Sequence, residues 1–248
     1  MNQKLMCVAI AAVMLAACSK KQETGASSVD TAAQPQAQAA SAAAPEQKVK
    51  PASAAPKADK SVPFSNYQKL TDGKQLMFAY YAASTAPVEY EKVAAILEPQ
   101  KYVYEQDEFK RRDVLAALKP QIDAAVEKAK QSKYYKIAVG SSSDLDKYDF
   151  ESKSFLCKSV PYDGATQFFT DGTNEYRFTF ANGEAFRKFK IDNEELARKI
   201  EGLRTKYNSF EVVAYFFAGD TKIGEKTISG ELMKLQIVDK AGNILAEQ

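Results

Sequence analysis

The sequence predicts an α+β fold, with N-terminal helices packed on a mainly antiparallel β-sheet or partial barrel. Two changes along the chain carry that expectation. From about Gln75 to Ala129, apolar residues recur every three or four positions, the repeat of one helix face. From Tyr135 the repeat shortens to two, as in Tyr135, Ile137 and Val139, and turn residues then separate short apolar runs. A third observation confines the fold to a single domain at 63–248, because the first quarter of the chain differs in composition from the rest.

The helical half opens after Asp72-Gly73, read as a turn signal, with Leu76, Met77, Phe78, Tyr80 and Tyr81 in one run. Pro87 suits the first turn of a second helix carrying Val88, Tyr90, Val93, Ala94, Ile96 and Leu97. A third helix starts near Asp107 and gathers Phe109, Val114, Leu115, Leu118, Ile122 and Val126 on one face; Pro120 is expected to kink or split it. The charges from Glu108 to Asp113 read as a solvated face.

The strand half continues through Lys147-Tyr148-Asp149-Phe150 and Phe155-Leu156-Cys157 to a turn at Pro161-Tyr162-Asp163-Gly164, where glycine tolerates positive φ. Phe168-Phe169 and Tyr176, Phe178, Phe180 are joined through Asp171-Gly172 in a hairpin-like connection. Asn182-Gly183 signals another hairpin before Phe186, Phe189 and Ile191. One helix interrupts the strands, with Asp192 as its cap, Glu195 three residues on, and a stripe of Leu196, Ile200 and Leu203. Strands return at 210–217, at 231–238 and at Ile244-Leu245. The 210–217 run is apolar on both faces, which suits a central strand covered on each side.

Ahead of the domain lie two segments of another kind. Met1 to Lys4 is positive, and the apolar run Leu5 to Leu15 would span about 16 Å as a helix, roughly half a bilayer core. That is the length of a signal h-region rather than of a membrane span. Leu15-Ala16-Ala17-Cys18 resembles the lipobox of bacterial lipoproteins; the alternative is an ordinary secretory signal with a small-x-small cleavage site. The lipobox resemblance implies that residues 1–17 are removed and that Cys18 carries the lipid. Two or three acyl chains then hold the protein stably to a membrane without a transmembrane helix. Ser19, where Asp is the usual retention signal for the inner membrane, implies the outer membrane of a two-membrane envelope. Residues 18–62 continue in Ala, Gln, Ser, Pro and Lys, with prolines at 35, 45, 51 and 56. This stretch is expected to be a disordered tether, since so few large apolar residues cannot offset the entropy of ordering.

Charge and residue usage exclude several function classes. Of 34 basic and 32 acidic residues, seven and four lie in 1–62, so 63–248 holds 27 and 28 and is close to neutral. No basic stripe for a phosphate backbone follows from that, and nucleic acid is not an expected partner. The chain has no histidine, which removes the commonest general base, the usual serine triad and most zinc sites. No phosphate-binding or dinucleotide loop and no G-x-S-x-G occurs, so no cofactor is implied. Of the three cysteines, Cys7 is in the signal and Cys18 is the lipid acceptor. Cys157 alone remains in the domain, without an intramolecular disulfide partner, and is expected to be buried in an apolar strand.

Two residue sets remain as candidate sites. Asp144, Asp146 and Asp149 cluster in a Ser- and Asp-rich stretch that reads as a turn or as a weak divalent-cation site. The spacing lacks the glycine and glutamate of a calcium loop. Paired carboxylates also cleave glycosides, so a histidine-free glycan hydrolase is an alternative activity. Among 13 Tyr and 14 Phe, with no Trp, Tyr134, Tyr148, Tyr162 and Tyr176 are candidate ligand-binding residues because they lie at strand ends or beside turns. The stretch Phe64 to Lys119, with Tyr148-Asp149-Phe150, resembles an uncharacterised family of bacterial lipoprotein domains, which implies no activity and no site residues.

The leading expectation is therefore a non-enzymatic envelope lipoprotein that binds another envelope protein, or an apolar or glycan ligand. A surface-exposed lipoprotein meeting a host or competitor molecule is a further alternative. Cys18→Ala tests the anchor: on cell fractionation the variant should leave the membrane fraction, and unchanged membrane association would remove the lipobox reading.

Overall fold

The computed structural model describes residues 57–248. The expected signal segment, Cys18, Ser19 and the expected linker up to residue 56 lie outside the described residues. Strand β1 (Gln68–Lys69) is followed by helices α1 (Gly73–Ala83), α2 (Tyr90–Leu97), α3 (Pro99–Tyr102) and α4 (Glu108–Lys130). Then come β2 (Tyr134–Ser141), β3 (Ser154–Leu156), β4 (Arg177–Phe180), β5 (Lys188–Lys190), α5 (Glu194–Arg204), β6 (Phe210–Lys222), β7 (Thr227–Asp239) and β8 (Ile244–Glu247). The main sheet runs β1-β2-β6-β7-β4, with β8 also on β7, while β3 and β5 form a separate pair.

Helices and sheet are thus both present, and the sheet is mostly antiparallel. β2, β6, β7 and β8 pair antiparallel in turn, whereas β1 joins β2 and β4 joins β7 in parallel. The sheet is open rather than a closed barrel: β1 ends one side, and β4 and β8 share the other edge of β7. β6 is central, between β2 and β7, as its apolar run requires.

Alternation divides the residues of these strands between two faces. Tyr135, Ile137 and Val139 of β2 are buried, with Val212, Ala214 and Phe216 of β6 and Leu235 and Ile237 of β7. Phe216 lies against Phe178 and Phe180, with ring centroids 6.2 and 5.2 Å away. Burying such a ring contributes about 1.5 to 3 kcal/mol.

Local chemistry explains the helix ends and corrects several expectations. Asp72 accepts a hydrogen bond from Gln75 N at 2.8 Å, so Asp72-Gly73 is a helix cap and not merely a turn. Asp171 also accepts from Gly73 N at 2.7 Å, and a Cβ on Gly73 would collide with Thr173. Pro87 stands in the connection before α2, while Pro99 takes the first turn of α3. Helix α4 runs through Pro120 without splitting. The carbonyl that loses its donor belongs to Ala116, an exposed residue that water can serve. Leu118, Ile122 and Val126 are its buried stripe, but Phe109 is 70% exposed beneath the Arg112 guanidinium.

In the strand half, Gly164 and Gly172 adopt positive φ, as their turns require. Phe168-Phe169 forms no strand; a single bridge between Gln167 and Phe178 closes that loop, and β4 turns to β7 instead. Asn182-Gly183 makes no hairpin, because β4 and β5 belong to different sheets. The Asn182 amide instead accepts from Leu232 N at 2.8 Å and donates to Leu232 O at 2.9 Å. Glycine follows because a Cβ at 183 would meet the Pro161 carbonyl. Helix α5 is capped by Asn193 rather than Asp192, through a 3.0 Å bond from Leu196 N.

A polar knot ties distant parts of the chain together. Tyr81 and Tyr176 share a hydroxyl hydrogen bond of 2.9 Å, with Tyr80 against both rings. Burial, and then the Tyr81 hydroxyl, push the Tyr176 phenol far above its ordinary range. Lys226, at φ 47 after β6, donates to Glu89 at 2.5 Å and Glu175 at 2.9 Å, with its ammonium 5.0 Å from the Tyr176 ring centroid. Burial opposes charge on Lys226, but the two carboxylates outweigh it and the amine is held above its usual value. The Lys226 hydrogen bond holds Glu89 below its usual range.

Lys226→Met should cost about 1 to 2 kcal/mol at neutral pH. A carboxylate with a lowered folded pKa stabilises above its unfolded value near ~4.3, and a raised amine stabilises below its own near ~10.4. The cost of the substitution should therefore be flat between those limits. It should shrink as pH falls through the folded range of Glu89, and again as pH rises through that of Lys226. Urea unfolding midpoints of both proteins across pH check this, and a pH-independent difference would contradict it.

Candidate binding groove

The face of the main sheet opposite its buried side chains presents Lys136 and Ala138 from β2 and Glu211, Val213 and Tyr215 from β6. Lys234, Gln236 and Val238 continue the face on β7. Part of this face is a concave groove of about 1080 Å3. Ala138, Val213 and Val238 supply its aliphatic floor, and Ile244, 55% exposed, lines it from β8. Also lining it are Lys69 and Lys136 on the β1 side of the sheet, and Asp144, Glu211, Asp239 and Lys240 near the other strand ends. An irregularity in the β2–β6 register between Ala138 and Gly140 falls within the floor, where a bulge bends and twists a strand.

The other part of the face is closed by the chain that leads into β1. The Tyr134 hydroxyl receives Asp59 N at 2.6 Å and donates to Asp59 O at 3.1 Å. Phe64, in a short 3-10 turn, and Tyr67 then pack on each other at 5.1 Å between ring centroids; Phe64 meets Tyr215 at 5.4 Å, and Tyr67 meets Tyr134 and Tyr215 at 5.2 and 5.6 Å. Phe217 joins Tyr134 at 5.0 Å, and the Lys234 ammonium stands 3.8 Å from the Phe64 centroid. Burial pushes the Tyr67 phenol up to about 12, and the nearby Tyr134 and Glu231 add to that. Residues 57–62, assigned from composition to the linker, are therefore tied to the domain at Asp59.

The four tyrosines singled out in the sequence do not form one patch. Tyr134 is the clamp on Asp59. Tyr148 donates to Ile191 O at 2.8 Å and packs on Phe150 and Phe155. The Tyr162 ring lies under the Arg187 guanidinium, 4.7 Å from its centroid. Tyr176 is a correction: it is fully buried beside Tyr81, so its ring has no surface to offer a ligand.

The three aspartates have local work. Asp144 accepts from Ser141 N at 2.7 Å and from the Ser141 hydroxyl, a capping box. Asp146 pairs with Lys158 at 2.7 Å, and Asp149 accepts from Ser152 Oγ and Glu151 N. The Ser152 hydrogen bond holds the Asp149 carboxyl low, the opposite of what a general acid needs. Among the described residues, no group of three or more His, Cys, Asp or Glu is placed to hold a metal ion. Cys157 is fully buried, as expected, and burial pushes its thiol up.

Apart from Asp144, the groove residues were absent from the sequence-derived candidates. Their signal was the other half of the β2 alternation, Lys136 and Ala138 between Tyr135, Ile137 and Val139. The run 210–217 is central, but its outer face is only partly covered, since Val213 lines the open groove. No protein-family model matches this chain, and no curated protein or solved structure matches it either.

Tyr134→Phe removes both bonds to Asp59 and keeps the ring. Amide exchange around 59–62 should rise markedly while global stability falls by only about 1 kcal/mol; unchanged exchange would show that the clamp holds nothing.

Proposed function

We propose that this chain is a lipid-anchored protein of the bacterial envelope, attached through Cys18, and that its domain is a binding module rather than an enzyme. The groove carries the reading: an open concave sheet face with an aliphatic floor and charged surroundings is a surface for a partner. The lipobox-like Leu15-Ala16-Ala17-Cys18 and the following Ser19 support an outer-membrane location. In this reading α1, α2 and α4 form the layer on the inner face of the sheet. The bonds from Tyr80 Oη to Ile223 O and between Tyr81 and Tyr176 support that arrangement. The segment that leads out of the tether crosses the outer face at Asp59 and Phe64, so the partner meets the groove beside the point where the chain enters the domain.

Photoreactive residues at Ala138 and Val213, with Ala116 on the exposed side of α4 as reference, test this in living cells. A discrete adduct at the groove positions, absent at Ala116 and reduced by Cys18→Ala, is the expected result. Equal adducts at all three positions, or none in the groove, would sink the reading.

A further inference from the structure

The register of the main sheet places like charges side by side on the outer face. Lys69 of β1 is the partner of Lys136 of β2, Lys136 that of Tyr215 of β6, and Tyr215 that of Lys234 of β7. One cross-strand row therefore reads Lys, Lys, Tyr, Lys, and adjacent like charges on one face destabilise a sheet. Among the described residues, neither Lys69 nor Lys136 has a carboxylate within 4.0 Å, while Lys234 has only Glu247, at 3.5 Å. The Tyr215 ring separates the lysines, with the ammonium of Lys136 at 5.9 Å and that of Lys234 at 5.0 Å from its centroid.

The acidic residues of the groove are differently placed. Asp144 takes two bonds from Ser141 on Oδ2, and Asp239 accepts from Ala241 N, Asn243 N and Asn243 Nδ2 within its own turn, while Glu211, exposed and without a salt-bridge partner among the described residues, stands four residues along β6 from Tyr215, away from the lysine row. These two turn carboxylates spend acceptor positions on their own turns, whereas the ammonium groups of Lys69 and Lys136 keep their donors free. From this complementarity we infer that the groove receives an acidic polypeptide segment of an envelope partner. Its carboxylates meet the Lys69–Lys136 row, and its aliphatic side chains lie on Ala138, Val213 and Val238.

A glycan is the poorer fit. Sugar rings need an open aromatic face, and Tyr215, the ring among the groove-lining residues outside the core, is already met by Phe64, Tyr67 and two lysines. Floor width points the same way. Four strands, β2, β6, β7 and β8, span about 14 Å, enough for one extended chain or one helix.

This inference rests on the binding-module reading, and panning a pool of random dodecapeptides on the full chain tests it separately. Recovered peptides should be rich in Asp and Glu beside Val, Leu and Ile, and should be released as salt rises. The double substitution Lys69→Glu, Lys136→Glu should turn the enrichment towards Lys and Arg. The neutral pair Lys69→Gln, Lys136→Gln should lower retention of the acidic peptides roughly tenfold with a urea midpoint no lower than that of the unaltered chain, which guards against misfolding. No acidic bias, a bias that survives charge reversal, or retention of an oligogalacturonate where no peptide is held would overturn the inference. Groove adducts in cells combined with unbiased panning would remove the acidic-peptide inference and leave the binding module standing.

Discussion

The described fold is registered on the pairing of β6 with β7. The two strands run together from Phe210 opposite Asp239 to Lys222 opposite Thr227, and every other strand of the main sheet attaches to one of them or to β2. Side chains alternate, so a slip of one residue would exchange Val212, Ala214 and Phe216 for Glu211, Val213 and Tyr215. That slip would bury a glutamate and expose a phenylalanine. The same alternation that builds the core therefore also builds the groove, and neither can change without the other.

The turn that joins β6 to β7 ends on Lys226, whose positive φ is unusual for a residue with a long side chain. Glu89, from the connection between α1 and α2, and Glu175, just before β4, hold that lysine. A strained backbone position is thus stabilised by groups far away in sequence, and Tyr81 reaches Tyr176 beside it. Buried hydroxyls are costly unless paired, so this arrangement specifies where the segments meet as well as how tightly.

Aromatic residues divide between jobs that composition cannot separate. Tyr80, Tyr81 and Tyr176 form one buried cluster, Tyr148 packs with Phe150 and Phe155, and Phe64, Tyr67, Tyr134, Tyr215 and Phe217 close part of the outer face. A tyrosine near a turn looks the same in each setting. Tyr176 and Tyr134 both sit close to strand starts, yet one is sealed in the interior and the other clamps the entering chain.

The sequence by itself determined the classes of element: helices from three- and four-residue spacing, strands from alternation, the burial of Cys157 and the central position of 210–217. These follow from short-range periodicity and from the preference of apolar groups for the interior. Only the tertiary structure decided that Asn182-Gly183 is a docking point on Leu232 rather than a hairpin, that β4 pairs in parallel with β7, and that Lys69 stands beside Lys136. Each of those facts joins residues tens of positions apart. Pattern along a chain reports which face a side chain takes, whereas the neighbour across that face is set by strand order and register.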